Sequence, residues 1–191
     1  ATIGKDEMHN AVESLVSRTY HIDQRTLLHV DANIPLFEDA PFAMNELVVH
    51  KSENSSMIKI HCYINGEFLN TYWCDGLIIS TPTGSTAYSL SGGGPILTPD
   101  LDAVSLVPMF PHTLSSRPLV VSGNSEIRLK VASTNDAHLQ ISCDSHVILA
   151  VMPGDDIFIR KHPTPLRLVH PPGYSYFHVL RNKLGWGSKL Y

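Results

Sequence analysis

No window of the 191-residue sequence concentrates lysine or arginine; 14 basic residues are set against 18 acidic ones, a net charge of −4 with histidines neutral. A duplex nucleic-acid binder needs a basic face to displace counterions from phosphates, so that class is excluded. A small anionic ligand, which needs only a few donors, is not. Cysteine is scarce too. Cys62, Cys74 and Cys143 lie far apart without CxxC spacing, which reads as reduced, buried thiols of a cytosolic protein. Long hydrophobic runs are missing: the longest span about six residues, against the ~20 that cross a bilayer. No basic-then-apolar leader opens the chain, and Ala1-Thr2-Ile3-Gly4 without a methionine reads as an internal start. The 11 histidines show no metal-ligand spacing, so no metal ligand is assigned. These absences predict a cytoplasmic protein with no nucleic-acid and no membrane partner. What remains, 43% apolar and 17% charged residues, is the composition of a globular protein with one sizeable core.

Along the chain, Met8, Ala11, Val12, Leu15 and Val16 recur at spacings of three and four, which predicts an amphipathic helix between Lys5 and Tyr20. The period then changes to two from Leu27 to Ala32, and 33–41, with two prolines, reads as a loop. A dense series of short strands follows: Leu47–His50, Met57–Ile64, Phe68–Trp73, Leu77–Ser80, Leu119–Val121, Glu126–Val131, Leu139–Cys143, Val147–Val151, Asp156–Lys161 and Leu166–His170. Asn65-Gly66 between two of them signals a type I′ hairpin, whose central residues both need positive φ. A last helix is predicted from Tyr176 to Leu184, stopped by Gly185. The fold class expected is mainly β: a multi-stranded, sandwich-like domain with an N-terminal helix and a short C-terminal helix.

Chemistry concentrates between Asp75 and Pro95. The apolar run Leu77-Ile78-Ile79-Ser80 suits a strand covered on both faces. It runs into Pro82-Thr83-Gly84, after which Ser85 reads as the N-cap of a short helix that Gly92 to Gly94 stop. A strand, a tight turn and a helix start are a recipe for anion and nucleotide binding through free backbone N–H groups. Six serine and threonine hydroxyls between Ser80 and Ser89 add donors and acceptors. From chemistry alone, a strand–turn–helix corner with hydroxyls capping backbone groups fits equally well. No Gly-Lys-Ser/Thr and no Gly-x-Ser-x-Gly is present, so neither a Walker loop nor a nucleophile elbow is indicated.

The order of these residues goes further. Asp75-Gly76, the run Thr81-Pro82-Thr83-Gly84-Ser85-Thr86-Ala87-Tyr88-Ser89-Leu90-Ser91 and the glycines after it resemble the most characteristic motif of the NAD kinases. Asn45-Glu46 is similar to that family's Asn-Glu motif. Pro111-His112-Thr113-Leu114-Ser115-Ser116-Arg117-Pro118 looks like its Pro-His-(Ser/Thr)-Leu-x-x-Arg-Pro segment, and Ile141 to Ser145 and Tyr176 to Trp186 resemble bacterial members. The likeness spans almost everything from Arg25 onward.

The resemblance implies transfer of the γ-phosphoryl of ATP, or of polyphosphate in some members, to the 2′-hydroxyl of the adenosine ribose of NAD. By it, Asn45 and Glu46 hold the ribose hydroxyls and the neighbouring diphosphate. Thr86, Ala87, Tyr88, Ser89, Leu90 and Ser91 line the adenine pocket. Asp75 meets the nicotinamide-ribose half, in many members from a neighbouring subunit. His146 lies beside the ligand after Asp144-Ser145, where many members have Asp-Gly. The same resemblance implies NAD or NADP as ligand, ATP as donor, magnesium in the whole enzyme, and a homodimer or homotetramer. The family's Gly-Gly-Asp-Gly motif, which carries the catalytic aspartate, is absent from the 191 positions. Residues 1–22 are accordingly expected to be a linker helix from an upstream α/β domain, and 23–191 the β-rich NAD-binding C-terminal domain. No catalytic residue is assigned, and the chain alone is expected to be inactive. Two rivals remain: a non-catalytic β-sandwich that senses a nucleotide or mediates assembly, and a lipid-kinase-type C-terminal domain.

Overall fold

Alternation of buried and exposed residues along short strands dictates a two-layer β structure, and the computed structural model has that architecture. It describes residues 4–33, 42–51, 56–113, 115–135 and 139–186. The strands are β1 (His21–Arg25), β2 (Leu28–Ala32), β3 (Phe42–Ala43), β4 (Glu46–Lys51), β5 (Ile58–Ile64), β6 (Glu67–Cys74) and β7 (Gly76–Ser80). They continue with β8 (Ala103–Met109), β9 (Leu119–Ser122), β10 (Ile127–Val131), β11 (Leu139–Cys143), β12 (His146–Val151), β13 (Asp156–Lys161) and β14 (Leu166–His170). Helices are α1 (Met8–Val16), α2 (Tyr88–Ser91) and α3 (Tyr176–Leu184).

Two compact units are present, one of residues 25–166 and one joining the stretch through Gln24 to that from Arg167. In the larger unit, one six-stranded sheet has the order β3-β2-β13-β10-β5-β6 and the other β12-β11-β4-β7-β8-β9. The main apolar core draws alternate residues from both: Leu28, Val30, Ile60, Leu129 and Ile157 from the first, Leu47, Val49, Leu77, Ile79, Leu106 and Ile141 from the second. That is a sandwich, as the strand spacing predicts. Asn65 and Gly66 have φ of 52° and 82°, so the β5–β6 hairpin forms as read. Cys62, Cys74 and Cys143 are buried and outside any disulfide. Burial pushes the Cys62 and Cys74 thiols up to about 12.

In the smaller unit, α1 is shorter than its periodicity implies. The Ser17 hydroxyl donates to the Glu13 carbonyl at 2.7 Å and Arg18 turns left-handed at φ 58°, which ends the helix. α3 runs from Tyr176 to Leu184 as expected, with the Ser175 side chain accepting from His178 N–H and Gly185 left-handed at φ 66°. β1 pairs with β14 in a two-stranded sheet. β1, β3 and β8 are strands that periodicity did not reveal. Apart from Asn33, the expected loop 33–41 lies outside the described residues.

Candidate functional site

The period of two in β4 divides its side chains between two faces. Leu47 and Val49 enter the main core, so Glu46, Val48 and His50 face the other way. Register carries that face across the sheet. Val48 pairs with Ile78 and Ser142, and Ile78 pairs with Val107. Val48, Ile78 and Val107, with Met109 against them, form a second small apolar cluster. Beside it opens a cavity of about 440 Å³, lined by Glu46, Val48, His50, Lys51, Asp75, Tyr88, Met109, Phe110, Ser142 and Ser145.

The turn that delivers Asn45 and Glu46 is clamped from both sides. The Asp144 carboxylate accepts the backbone N–H groups of Met44 at 2.7 Å, Asn45 at 2.8 Å and Glu46 at 3.1 Å. Three charge-assisted bonds to successive amides make a strong, direction-specific anchor. On the carbonyl side, the Thr81 hydroxyl donates to Met44 O at 2.6 Å, and Thr81 N–H donates to Asn45 O at 2.9 Å. Asp144 and Ser145 themselves have φ of 46° and 72°. Glycine would adopt the second of these left-handed positions without strain.

Glu46 is 5% exposed, with Oε2 buried and without a hydrogen-bond partner. Burial raises its carboxyl pKa above the ordinary value and the nearby Asp144 adds to the rise, while a bond from the Tyr88 backbone N–H opposes them. At the other end of the cavity, Lys51 Nζ bonds Asp75 Oδ1 at 3.0 Å. His50 donates from Nδ1 to Lys51 O at 3.0 Å and accepts at Nε2 from Gln140 at 3.3 Å.

The expected helix start is not built as read. A 3-10 turn at Gly84–Thr86 precedes α2, which has only four residues and no side-chain N-cap. Ser85 is fully buried; its hydroxyl donates to Pro82 O at 2.6 Å and accepts Leu97 N–H at 3.0 Å. It staples two loops rather than capping a helix, because Leu97 competes for it from twelve residues away.

Of the residues expected at the site, Glu46, Asp75 and Tyr88 line the cavity. Asn45, Thr86, Ala87, Ser89, Leu90, Ser91 and His146 do not line it. Ser89 is fully buried, whereas Ser91 and His146 are exposed. Val48, His50, Lys51, Met109, Phe110, Ser142 and Ser145 are lining residues that sequence reasoning did not single out. Strand alternation from Glu46 points to Val48 and His50; Met109, Phe110 and Ser142 arrive only through pairing with neighbouring strands.

The ATP-NAD kinase C-terminal domain model matches residues 44–171, the span that holds the clamped turn, α2 and most of both sheets. The chain belongs to the ATP-NAD kinase C-terminal domain family. An NAD kinase of Pseudoalteromonas translucida is 54% identical over 182 residues, covering 95% of this chain and 62% of the relative. The chain therefore spans less than two thirds of that relative's length. Among solved structures, yeast NADH kinase complexed with NADH is 27% identical with a TM-score of 0.87, covering 100% of this chain and 58% of that one. An NAD kinase from Archaeoglobus fulgidus in complex with ATP is 26% identical with a TM-score of 0.70, covering 94% and 64%. Within this family fold, the groove over β4 opens beside the clamped turn at Glu46.

Proposed function

We propose that this chain binds NAD or NADP in the groove over β4, as the dinucleotide-holding part of an NAD kinase. Such an enzyme moves the γ-phosphoryl of ATP to the 2′-hydroxyl of the adenosine ribose. The observation that carries the reading is Glu46, which lines the cavity and whose buried carboxyl leaves Oε2 without a hydrogen-bond partner. A carboxyl so placed suits a sugar hydroxyl, which donates to it. The Tyr88 ring, 45% exposed at the rim, offers a flat apolar surface to a base. The resemblance assigns Asn45 to the ribose and diphosphate, Thr86 to Ser91 to the purine side, Asp75 to the nicotinamide ribose and His146 to the ligand's edge; of these, Asp75 and Tyr88 line the cavity.

Phosphoryl transfer rests on positioning and charge stabilisation, and it needs a base near the accepting hydroxyl. With no Gly-Gly-Asp-Gly among its 191 residues, this chain is expected to bind without turnover. The family implies magnesium, but among the described residues no three His, Cys, Asp or Glu side chains converge as ligands. No step is assigned to a metal. A homodimer or homotetramer belongs to the same reading, supported by exposed Phe68, Leu69 and Trp73 on the edge strand β6. So does a cytoplasmic location, supported by the thiols outside any disulfide. No described helix is long and apolar enough to cross a membrane.

Calorimetric titration with NAD and NADP tests the reading. Saturable binding is expected, weakened about tenfold by Tyr88→Ala, the loss of roughly 1.4 kcal/mol of ring contact. Asn45→Ala should weaken it comparably. Unchanged affinity in both variants would place the ligand elsewhere. ATP-dependent NADP formation by this chain alone would overturn the division of labour.

A further inference from the structure

Among the described residues that line the cavity, Glu46 alone carries a buried side-chain oxygen without a hydrogen-bond partner. An ionised carboxylate has about four acceptor sites. Here the Tyr88 backbone N–H serves the group, and the Asp144 carboxylate, anchored on the amides of the same turn, repels it. Leaving a buried charge so poorly solvated is costly, and the economical state of the empty groove is the neutral acid. A ligand hydroxyl that donates to the carboxyl where Glu46 lines the cavity reverses the balance, because it solvates the carboxylate.

We infer that occupancy of the groove is coupled to the loss of one proton from Glu46: the empty cavity holds the carboxylic acid, and a ligand bearing sugar hydroxyls binds the carboxylate. The proton leaves to solvent, and no covalent bond of the ligand changes. The inference rests on the nucleotide reading above and adds a pH response to it.

Other titratable groups line or flank the same space. Asp144 comes from the β11–β12 turn, Tyr88 from α2, and His50 and Lys51 from β4 itself. Asp75 stands just before β7, and His146 starts β12 opposite Cys143. Lys51 and Asp75 bond each other. Five strand steps separate Lys51 from Glu46, roughly 17 Å, beyond the screening length of about 8 Å in physiological salt. His50 is engaged at both nitrogens. Asp144 is thus the neighbouring charge that bears on Glu46, and Glu46 is the residue that lines the cavity.

The sign follows. If the ligand binds only the ionised form, affinity rises with pH by up to tenfold per unit below the empty-state pKa of Glu46, then levels off. The test combines calorimetry with NADP, across pH and in two buffers of unlike ionisation enthalpy, with 13C-carboxyl NMR of glutamate-labelled protein. Wild type should release close to one proton on binding a pH unit or more below the empty-state pKa and above the bound-state one, about half a proton at the empty-state pKa itself, and Glu46→Gln none. The Glu46 resonance should titrate above the ordinary glutamate range without NADP and lower with it. Proton uptake, or equal release by Glu46→Gln, overturns the coupling while leaving nucleotide binding intact. An ordinary Glu46 titration in the empty protein overturns it independently of any ligand. Absence of NADP binding at every pH overturns the nucleotide reading, and the coupling with it.

Discussion

Gly84→Ala is expected to destabilise the protein by more than about 3 kcal/mol and to abolish nucleotide binding, although it adds one methyl group. A Cβ at Gly84 would overlap the Asn45 carbonyl and stand 2.6 Å from Asn45 Cα. Those are backbone atoms, so no side-chain rotation relieves the clash. Nor can the Asn45 turn retreat, since Thr81 binds its carbonyls and Asp144 its amides. The glycine is needed for close approach of two chain segments, one bearing the Asn-Glu turn and the other the hydroxyl-rich run. Gly93 supplies the control. Its φ is 85° with open space around the missing Cβ, so Gly93→Ala should cost only backbone strain of about 1–2 kcal/mol. Denaturant unfolding of both variants checks the contrast. Equal costs would show that the approach at Gly84 is looser than described.

Asp144→Asn is the second large effect. The carboxylate accepts three N–H bonds in sequence, and bonds to charged acceptors contribute about 1.5–3 kcal/mol each without adding fully. An amide keeps one acceptor and turns its own NH₂ toward a backbone donor. A loss of about 2–4 kcal/mol is expected, with nucleotide affinity falling at least tenfold as Asn45 and Glu46 lose their fixed direction. The variant also removes the charge that, after burial, raises the Glu46 pKa. Glu46 should then titrate lower than in wild type, and carboxyl NMR reads this separately from stability. A variant as stable as wild type, with Glu46 unmoved, would contradict the anchoring role.

The two-layer fold was legible because half-buried strands write their faces into a period of two. β10 alternates Ile127, Leu129 and Val131 inward with Arg128 and Lys130 between, and that pattern survives any packing detail. The Asn65-Gly66 hairpin and the Gly185 stop were legible because positive φ selects those residue types locally. β8 was not. It lies between β7 and β9 with almost every side chain buried, so it shows no alternation, and Pro108 within it argues against a central strand. β1, with the sequence His-Ile-Asp-Gln-Arg, carries no apolar pattern and pairs only with β14. Ser85 misled for a related reason. Its partner Leu97 is remote in sequence, and a local capping rule cannot see it. Glu46, Asp75 and Tyr88, which motif order singles out, are among the residues that line the cavity. The apolar floor of Val48 and Met109 depends on strand order, which residues alone do not declare.

The most direct test of the central claim is to map NADP on the protein by amide chemical-shift perturbation in 15N-labelled chain. The account predicts that the first and largest shifts fall on Met44 to Glu46, on Tyr88, and on Ser142 to Ser145, the segments joined by the Asp144 anchor and the cavity. A second cleft, lined by Asn124, Glu126, Arg160, Lys161 and His162, offers a built-in alternative. Shifts centred there, with the Asn45-Glu46 turn silent, would contradict the assignment of the groove over β4 as the dinucleotide site.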